Sequence, residues 1–177
     1  MRLALALLLC LAGAAQAKDY TVDPSSTLGF SGNYQGEKFS GKFPRFSAKI
    51  SLDKADLAAA KLEVDIDVTS ITTGNADYDS ELKGSKFFDF AKFPKAHFVS
   101  TAVKESGGAL TADGNLTIRD KTRPVQLKLD FKPAGDGGTL DVQATLKRLD
   151  FDVGTDDYAD TSTIGADVTV TSHLVLK

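Results

Sequence analysis

The sequence predicts an all-β protein, an eight-stranded antiparallel lipocalin-like barrel with one short helix in the long connection near residues 76–91. Three observations predict it. Apolar and charged residues alternate at period two through most of the chain, the pattern of strands with one buried face. Short Gly-, Asn- and Asp-rich segments separate these runs, and loops that short join antiparallel neighbours. Little of the chain carries helical periodicity, so the apolar sheet face must be covered by strands. A closed barrel and a two-sheet sandwich both do this, and the pattern favours the barrel. An eight-stranded barrel is either filled by side chains or holds one small ligand.

The first element lies outside the fold. The chain begins MRLALALLLCLAGAAQAKDY. One Arg precedes an apolar run, and small residues ending Ala15-Gln16-Ala17 follow it. This predicts a secretory signal peptide over residues 1–17, cut before Lys18, and a single domain over 18–177. The run is too short for a good membrane span, so no stable membrane insertion is expected. The cut removes Cys10 and Met1, the only Cys and the only Met of the chain. No disulfide can then form within the mature chain, although the compartment would permit one.

The strands follow in order. Leu28–Tyr34 is the first, closed by Asn33-Tyr34-Gln35-Gly36. FSGKFPRFSAKISL (39–52) is the second. Its parity changes between Phe43 and Phe46, which predicts a bulge or bend near Pro44. A connection over residues 53–60 leads to KLEVDIDVTS (61–70), where Leu62, Val64, Ile66 and Val68 face one way and Glu63, Asp65 and Asp67 the other. The longest connection, 71–95, carries a helix near Ala76–Lys83, with Tyr78 and Leu82 paired one turn apart and Gly84 as its stop. Ala96–Val103 is the next strand. GNLTIRD (114–120), VQLKLDF (125–131), TLDVQATL (139–146) and IGADVTVTSHLVLK (164–177) complete the eight. Asp120–Pro124 and Gly135–Gly138 are turns.

Charge and motifs exclude several classes. The net charge is −3, and about −4 once Arg2 is removed. Acidic and basic residues are interspersed, which argues against nucleic acid and gives no attraction to an anionic membrane surface. His97 and His173 are far apart and both lie in strands, so they read as ordinary strand residues. A zinc site needs three or four ligands, and no metal is predicted. Asp156-Asp157-Tyr158-Ala159-Asp160 lacks the spacing of a calcium loop. No nucleophile elbow or phosphate loop is present, and no catalytic residue is singled out.

Two features point to a ligand instead. GSKFFDFAKFPKAHF (84–98) concentrates phenylalanine in the longest connection. It predicts a lid in which Phe87 and Phe88 turn inwards over one barrel opening, while Lys86, Lys92 and Lys95 stay in water. A plug in a closed core is the alternative. Arg119, Lys121 and Arg123 crowd one hairpin, where they could meet an anionic head group. Arg148 sits at inward parity. It must be rotated out by a bulge or paired with a carboxylate near the rim. Arg45 raises the same question beside Phe43.

The motif order resembles the YceI family of secreted bacterial lipid-binding proteins over residues 19–177. The residues that carry the resemblance are YTVDPSSTLGFSG, GKFPRFSAKISLD, VTSITTGNADYDSELKGSKFFDFAKFPKAHFVST, DGNLTIRDKTRPVQLKLDF and LKRLDFDVG. The first hairpin departs from many members, since it contains no Trp. The resemblance implies a lipocalin-type barrel, a periplasmic or secreted location and an internal tunnel. The tunnel's implied occupant is a long-chain amphiphile: a polyisoprenoid, an isoprenoid quinone or a fatty-acid derivative. It implies no cofactor and no catalytic residue, and a homodimer is one admissible assembly. The strand parities then nominate the tunnel lining: Phe30, Phe43, Phe46, Ile50, Val64, Ile66, Val68, Phe87, Phe88, Phe98, Leu116, Ile118, Leu127, Leu129, Leu146, Val168 and Val170. Arg119, Lys121, Arg123 and Arg148 are the head-group candidates. A barrel without a physiological lipid, acting in interaction or stress protection, is the second hypothesis. An enzyme acting on a lipid or quinone is the third.

Overall fold

A computed structural model describes residues 17–177. The predicted signal sequence with Cys10 lies outside the described residues, apart from Ala17. The strands are β1 (Lys18–Tyr20), β2 (Thr27–Tyr34), β3 (Glu37–Lys42), β4 (Phe46–Asp53), β5 (Asp56–Asp67), β6 (Lys95–Ser106), β7 (Ala109–Ile118), β8 (Lys121–Ala134), β9 (Gly137–Lys147) and β10 (Asp167–Leu176). One α-helix, α1 (Ala76–Leu82), lies between β5 and β6. All strands belong to one antiparallel sheet in the order β1-β4-β5-β6-β7-β8-β9-β10-β2-β3, curled into a lipocalin-like fold.

Ten strands are present among the described residues where eight were expected. The additions have two causes. The parity change at Pro44 is a complete break. β3 pairs with β2, whereas β4 pairs with β5 and β1, so one predicted strand serves two edges of the sheet. The other addition is β1. Lys18–Tyr20 pair with β4, and the next residues cross to β10 through a Val22–Leu176 bridge. This short segment joins two strands that the sheet order sets far apart.

Two further boundaries differ from expectation. The 53–60 connection is a two-residue turn at Lys54-Ala55, because β5 begins at Asp56. Pro124 lies inside β8, opposite Asn115 of β7, rather than in a turn. The missing N–H of a proline is tolerated where a strand lacks a second partner. That condition holds here, since β9 pairs with β8 only from Lys128 onwards.

The barrel has two unlike ends. The lower end carries the tight turns after β4, β6 and β8, together with β1 and the end of β10. Its interior is packed solid around Ile50, Leu52, Leu140 and Leu176, the largest fully buried side chains. The upper end carries both long connections, residues 68–94 and 148–166. Aromatic rings join the leucines there, and two lie across glycines. A Cβ on Gly41 would stand 2.4 Å from the Phe30 ring, and one on Gly114 would stand 2.4 Å from Phe98. A side chain at either site would push its ring off the wall.

Candidate ligand-binding site

The upper half of the barrel encloses a cavity of about 200 Å³. Fifteen of the nominated residues line it. Phe30, Phe43, Phe46, Val64, Ile66 and Val68 form the side made by β2 to β5 and the turn that follows. Phe98, Leu116, Ile118, Leu127, Leu146, Val168 and Val170 form the opposite side, and Phe87 and Phe88 cover the top. Ile50 and Leu129 do not reach the cavity. Both belong to the packed cluster at its floor, where their ladder partners Leu62 and Val142 do line the cavity. Strand parity selects the inward face but carries no information on which inward side chains pack against one another and which border empty space.

The wall also uses residues that were not nominated. Val125, Val142 and Ala144 have the right parity and were available from it. Leu28, Phe39 and Ile164 lie in the predicted strands and were likewise available from them, whereas Leu82, Phe151 and Val153 come from the helix and a connection, where period two gives no signal. Leu82 faces inwards, while Tyr78 packs against Tyr34, ring centres 5.8 Å apart.

Only two lining residues have polar side chains, Arg148 and Ser172, and both are already hydrogen-bonded. Ser172 donates to the Thr27 carbonyl oxygen at 2.8 Å. Arg148 follows β9 at inward parity and is 5 % exposed. It is neither rotated out nor paired with a carboxylate. Its Nε donates to Gly165 O at 3.0 Å, Nη1 to Val153 O and Gly154 O at 3.1 and 2.5 Å, and Nη2 to Tyr158 O and Ile164 O at 2.7 and 2.9 Å. A guanidinium has five N–H groups, and here each meets a carbonyl of the 148–166 connection. Burial pulls its pKa down. Gly154 is required beside it, because φ is +74° and a Cβ would lie 2.5 Å from Nη1. Arg148 therefore organises a loop and presents no free donor to a ligand.

The other head-group candidates divide in the same way. Arg119 Nη1 donates to Phe87 O at 2.8 Å and to Asp152 O, and the guanidinium lies over the Phe93 ring at 5.6 Å. Its Nε is buried without a partner. Lys121 bridges Asp120 and Asp152 at 3.2 Å each, and these carboxylates raise its pKa, the hydrogen bond to Asp120 most of all. Arg123 is exposed and makes one bond, to Thr122 O at 3.1 Å. Arg45 stands outside, bonded to Asp67 at 2.8 Å and Thr69 at 3.0 Å.

The phenylalanine-rich segment closes the cavity from above. Gly84 O accepts from the Phe87 and Asp89 N–H groups at 3.0 and 2.9 Å, which folds the chain back. Phe87 stacks against Tyr158 with ring centres 4.8 Å apart, and Phe88 meets Phe43 at 6.3 Å. Backbone bonds from Gly154 and Thr155 to Lys86 O, at 2.7 and 3.1 Å, tie this segment to the other long connection. The Lys86–Asp157 ion pair and the bond from Tyr158 Oη to Glu81 at 2.9 Å add to the tie.

Both histidines lie on the outer face, each opposite an aspartate on the neighbouring strand. His97 meets Asp65 at 2.8 Å, and His173 meets Asp141 at 2.5 Å. Glu63 brings a third ligand atom to within 4.8 Å of the first pair, but Lys49 already neutralises it at 3.0 Å. Asp160 accepts bonds from Ser162 N–H and hydroxyl at 2.8 Å and so shapes its own loop. No helix among the described residues is long and apolar enough to cross a membrane.

The fold and the site define a class: a curled antiparallel β-barrel with one apolar cavity roofed by two linked connections. Comparison with known proteins narrows it. The YceI-like domain model matches residues 20–176. Protein YceI of Salmonella newport (strain SL254) is 34 % identical over 163 residues, covering 86 % of this chain and 85 % of that protein. The crystal structure of Burkholderia cenocepacia BcnA superimposes with a TM-score of 0.83 at 32 % identity, covering 87 % of this chain and 98 % of that one. A polyisoprenoid-binding domain from Saccharophagus degradans, implicated in plant cell wall breakdown, shares the fold at TM-score 0.66 and 15 % identity, with 89 % and 97 % coverage. This chain belongs to the YceI family.

Proposed function

We propose that the barrel holds the hydrocarbon part of a long-chain amphiphile, a polyisoprenoid, isoprenoid quinone or fatty-acid derivative, for transport, storage or sequestration. One observation carries this: the cavity wall is apolar throughout, and its two polar side chains are fully engaged elsewhere. A hydrocarbon chain gains about 25 cal/mol per Å² on leaving water, and a ligand segment needing a hydrogen bond would lose it here. The polyisoprenoid-binding domain of the same fold supports the ligand class. Size restricts the bound portion. A dry cavity of about 150 Å³ holds benzene, and whole-ligand pockets run from about 300 Å³ upwards. At about 200 Å³ this cavity takes a short stretch of chain in its present shape. A longer tail extends outside or widens the roof.

The proposal includes a periplasmic or secreted location, supported by the leader-like start of the chain. Cell fractionation with N-terminal sequencing tests it, and the expected first residue is Lys18. For the ligand, the protein is purified from its native host, extracted with organic solvent and analysed by mass spectrometry. An isoprenoid or acyl amphiphile is expected. Recovery of none, with no uptake of quinone or polyprenyl analogues, rejects the carrier. Phe88→Asp should abolish uptake while the circular dichroism of the barrel survives.

A further inference from the structure

The cavity wall is not hydrogen-bonded along its whole height. The β8/β9 ladder rises from Ala134 and Gly137 to Lys128 and Gln143 and stops. Both strands continue, β8 back to Lys121 and β9 on to Lys147, each still paired with its other neighbour. Extending the register would set Pro124 opposite Lys147, and a proline has no N–H to give a ladder. Four residues of β9 without a ladder partner on this side, at about 3.3 Å each, make a seam about 13 Å long in which no backbone bonds join the two strands. It is bounded below by the Lys128–Gln143 pair and above by the bonds from Arg119 and Lys121 to Asp152. Val125 and Leu127 on one side, and Ala144 and Leu146 on the other, are cavity residues. This seam, hereafter the slot, is therefore part of the cavity wall.

Arg123 stands at its edge. It shares the inward parity of Val125 and Leu127, and its partner on β7 is the buried cavity residue Leu116. It is nevertheless exposed. An inward side chain beside a buried neighbour is exposed where the wall next to it is open. Arg148 spends all five N–H groups on carbonyls of the fold, Lys121 bridges two carboxylates, and Arg119 has Nη1 taken by two carbonyls and an unpartnered Nε that is buried. Arg123 is the candidate whose guanidinium keeps most of its donors, in the forked geometry that suits phosphate and carboxylate.

We propose that the β8/β9 slot admits the tail of the amphiphile, and that Arg123 binds an anionic head group, phosphate or carboxylate, retained at its rim. This rests on the hydrocarbon-holding function above. The head group stays outside because the interior offers it no free donor.

The test titrates farnesyl phosphate, farnesoic acid and farnesol against the full chain and against Arg123→Ala and Arg123→Lys. The unaltered protein should bind at least one anion about tenfold more tightly than farnesol, and which anion it prefers identifies the head group. Arg123→Ala should bring that ratio to about one with farnesol affinity unchanged, and Arg123→Lys should restore part of it. A bulky maleimide on Gln126→Cys, at the slot, should slow farnesol uptake about tenfold, whereas the same label on Ser106→Cys, at the lower end, should not. Equal ratios in the unaltered protein and Arg123→Ala overturn the head-group site. Unchanged uptake after labelling at position 126 overturns the slot. Failure to bind any of the three compounds overturns the hydrocarbon-holding function, and this inference with it.

Discussion

The two ends of the barrel use the same alternating strands, yet one is solid and the other hollow. At the lower end Ile50, Leu52, Leu140 and Leu176 meet across a narrow interior, and β1 adds Tyr20 to the same layer. Branched aliphatic side chains interlock there to the density of a crystal. At the upper end Phe30, Phe43, Phe87 and Phe88 stand around a space they do not fill. Rings are large and flat and stiff about two torsions, so they make walls more readily than they fill gaps. Those walls are held by a polar frame of carbonyl groups gathered by Arg148 and Arg119. Packing stabilises the lower end, and hydrogen bonding shapes the upper one.

The largest expected effect tests this contrast directly. Leu140→Ala should cost about 3 kcal/mol in urea denaturation, because it opens a void where none exists. Leu146→Ala, on the cavity wall, should cost less than about 1 kcal/mol, since its side chain already borders empty space. Similar losses at the two sites would break the comparison.

Next in size is Arg148→Met. It leaves the five carbonyls of the 148–166 connection without their donor, and about 2–3 kcal/mol should be lost. Amide hydrogen exchange should quicken in residues 148–166 and 84–90 while β1 and the lower half of β9 stay protected. Uniform loss of protection would mean that the guanidinium supports the whole barrel.

The smallest effect depends on pH. Asp79 accepts bonds from the Thr73 hydroxyl and N–H, at 2.7 Å each, and from the Thr72 hydroxyl at 2.9 Å. The Thr73 hydroxyl contributes most to holding this carboxyl below the usual carboxylate range. A depressed folded-state pKa gives stability that is present above the unfolded value, about 3.9, and lost as the pH falls through the folded one. Asp79→Asn should cost about 1 kcal/mol at neutral pH, and the gap should narrow below about pH 4. A gap unchanged by acid would show that the charge on Asp79 does not matter to the connection it caps.

Much of this was legible in the sequence, and the remainder failed for identifiable reasons. Period two located the walls, and the parity change at Pro44 marked a real discontinuity. It did not reveal that the chain leaves one edge of the sheet for another there, because strand exchange is a long-range event. Ile50 and Leu129 have the same parity as the cavity residues and even share rungs with Leu62 and Val142, and only the packing at the cavity floor separates them from it. Arg148 read as a charge in need of a carboxylate. What satisfies it is backbone, which every residue carries and no motif announces. The gap between β8 and β9 is foreshadowed only by Pro124, which looked like part of a turn.

The crossing made by β1 has a practical consequence. Thr21 and Lys177 exchange backbone bonds at 3.0 Å in both directions, so residues 18–22 and Lys177 lie side by side at the solid floor of the barrel. A fusion partner or surface anchor attached after Lys177 therefore stands on the far side from the roof and the slot. The molecule can be mounted on a sensor chip by its foot, with its mouth facing the solution.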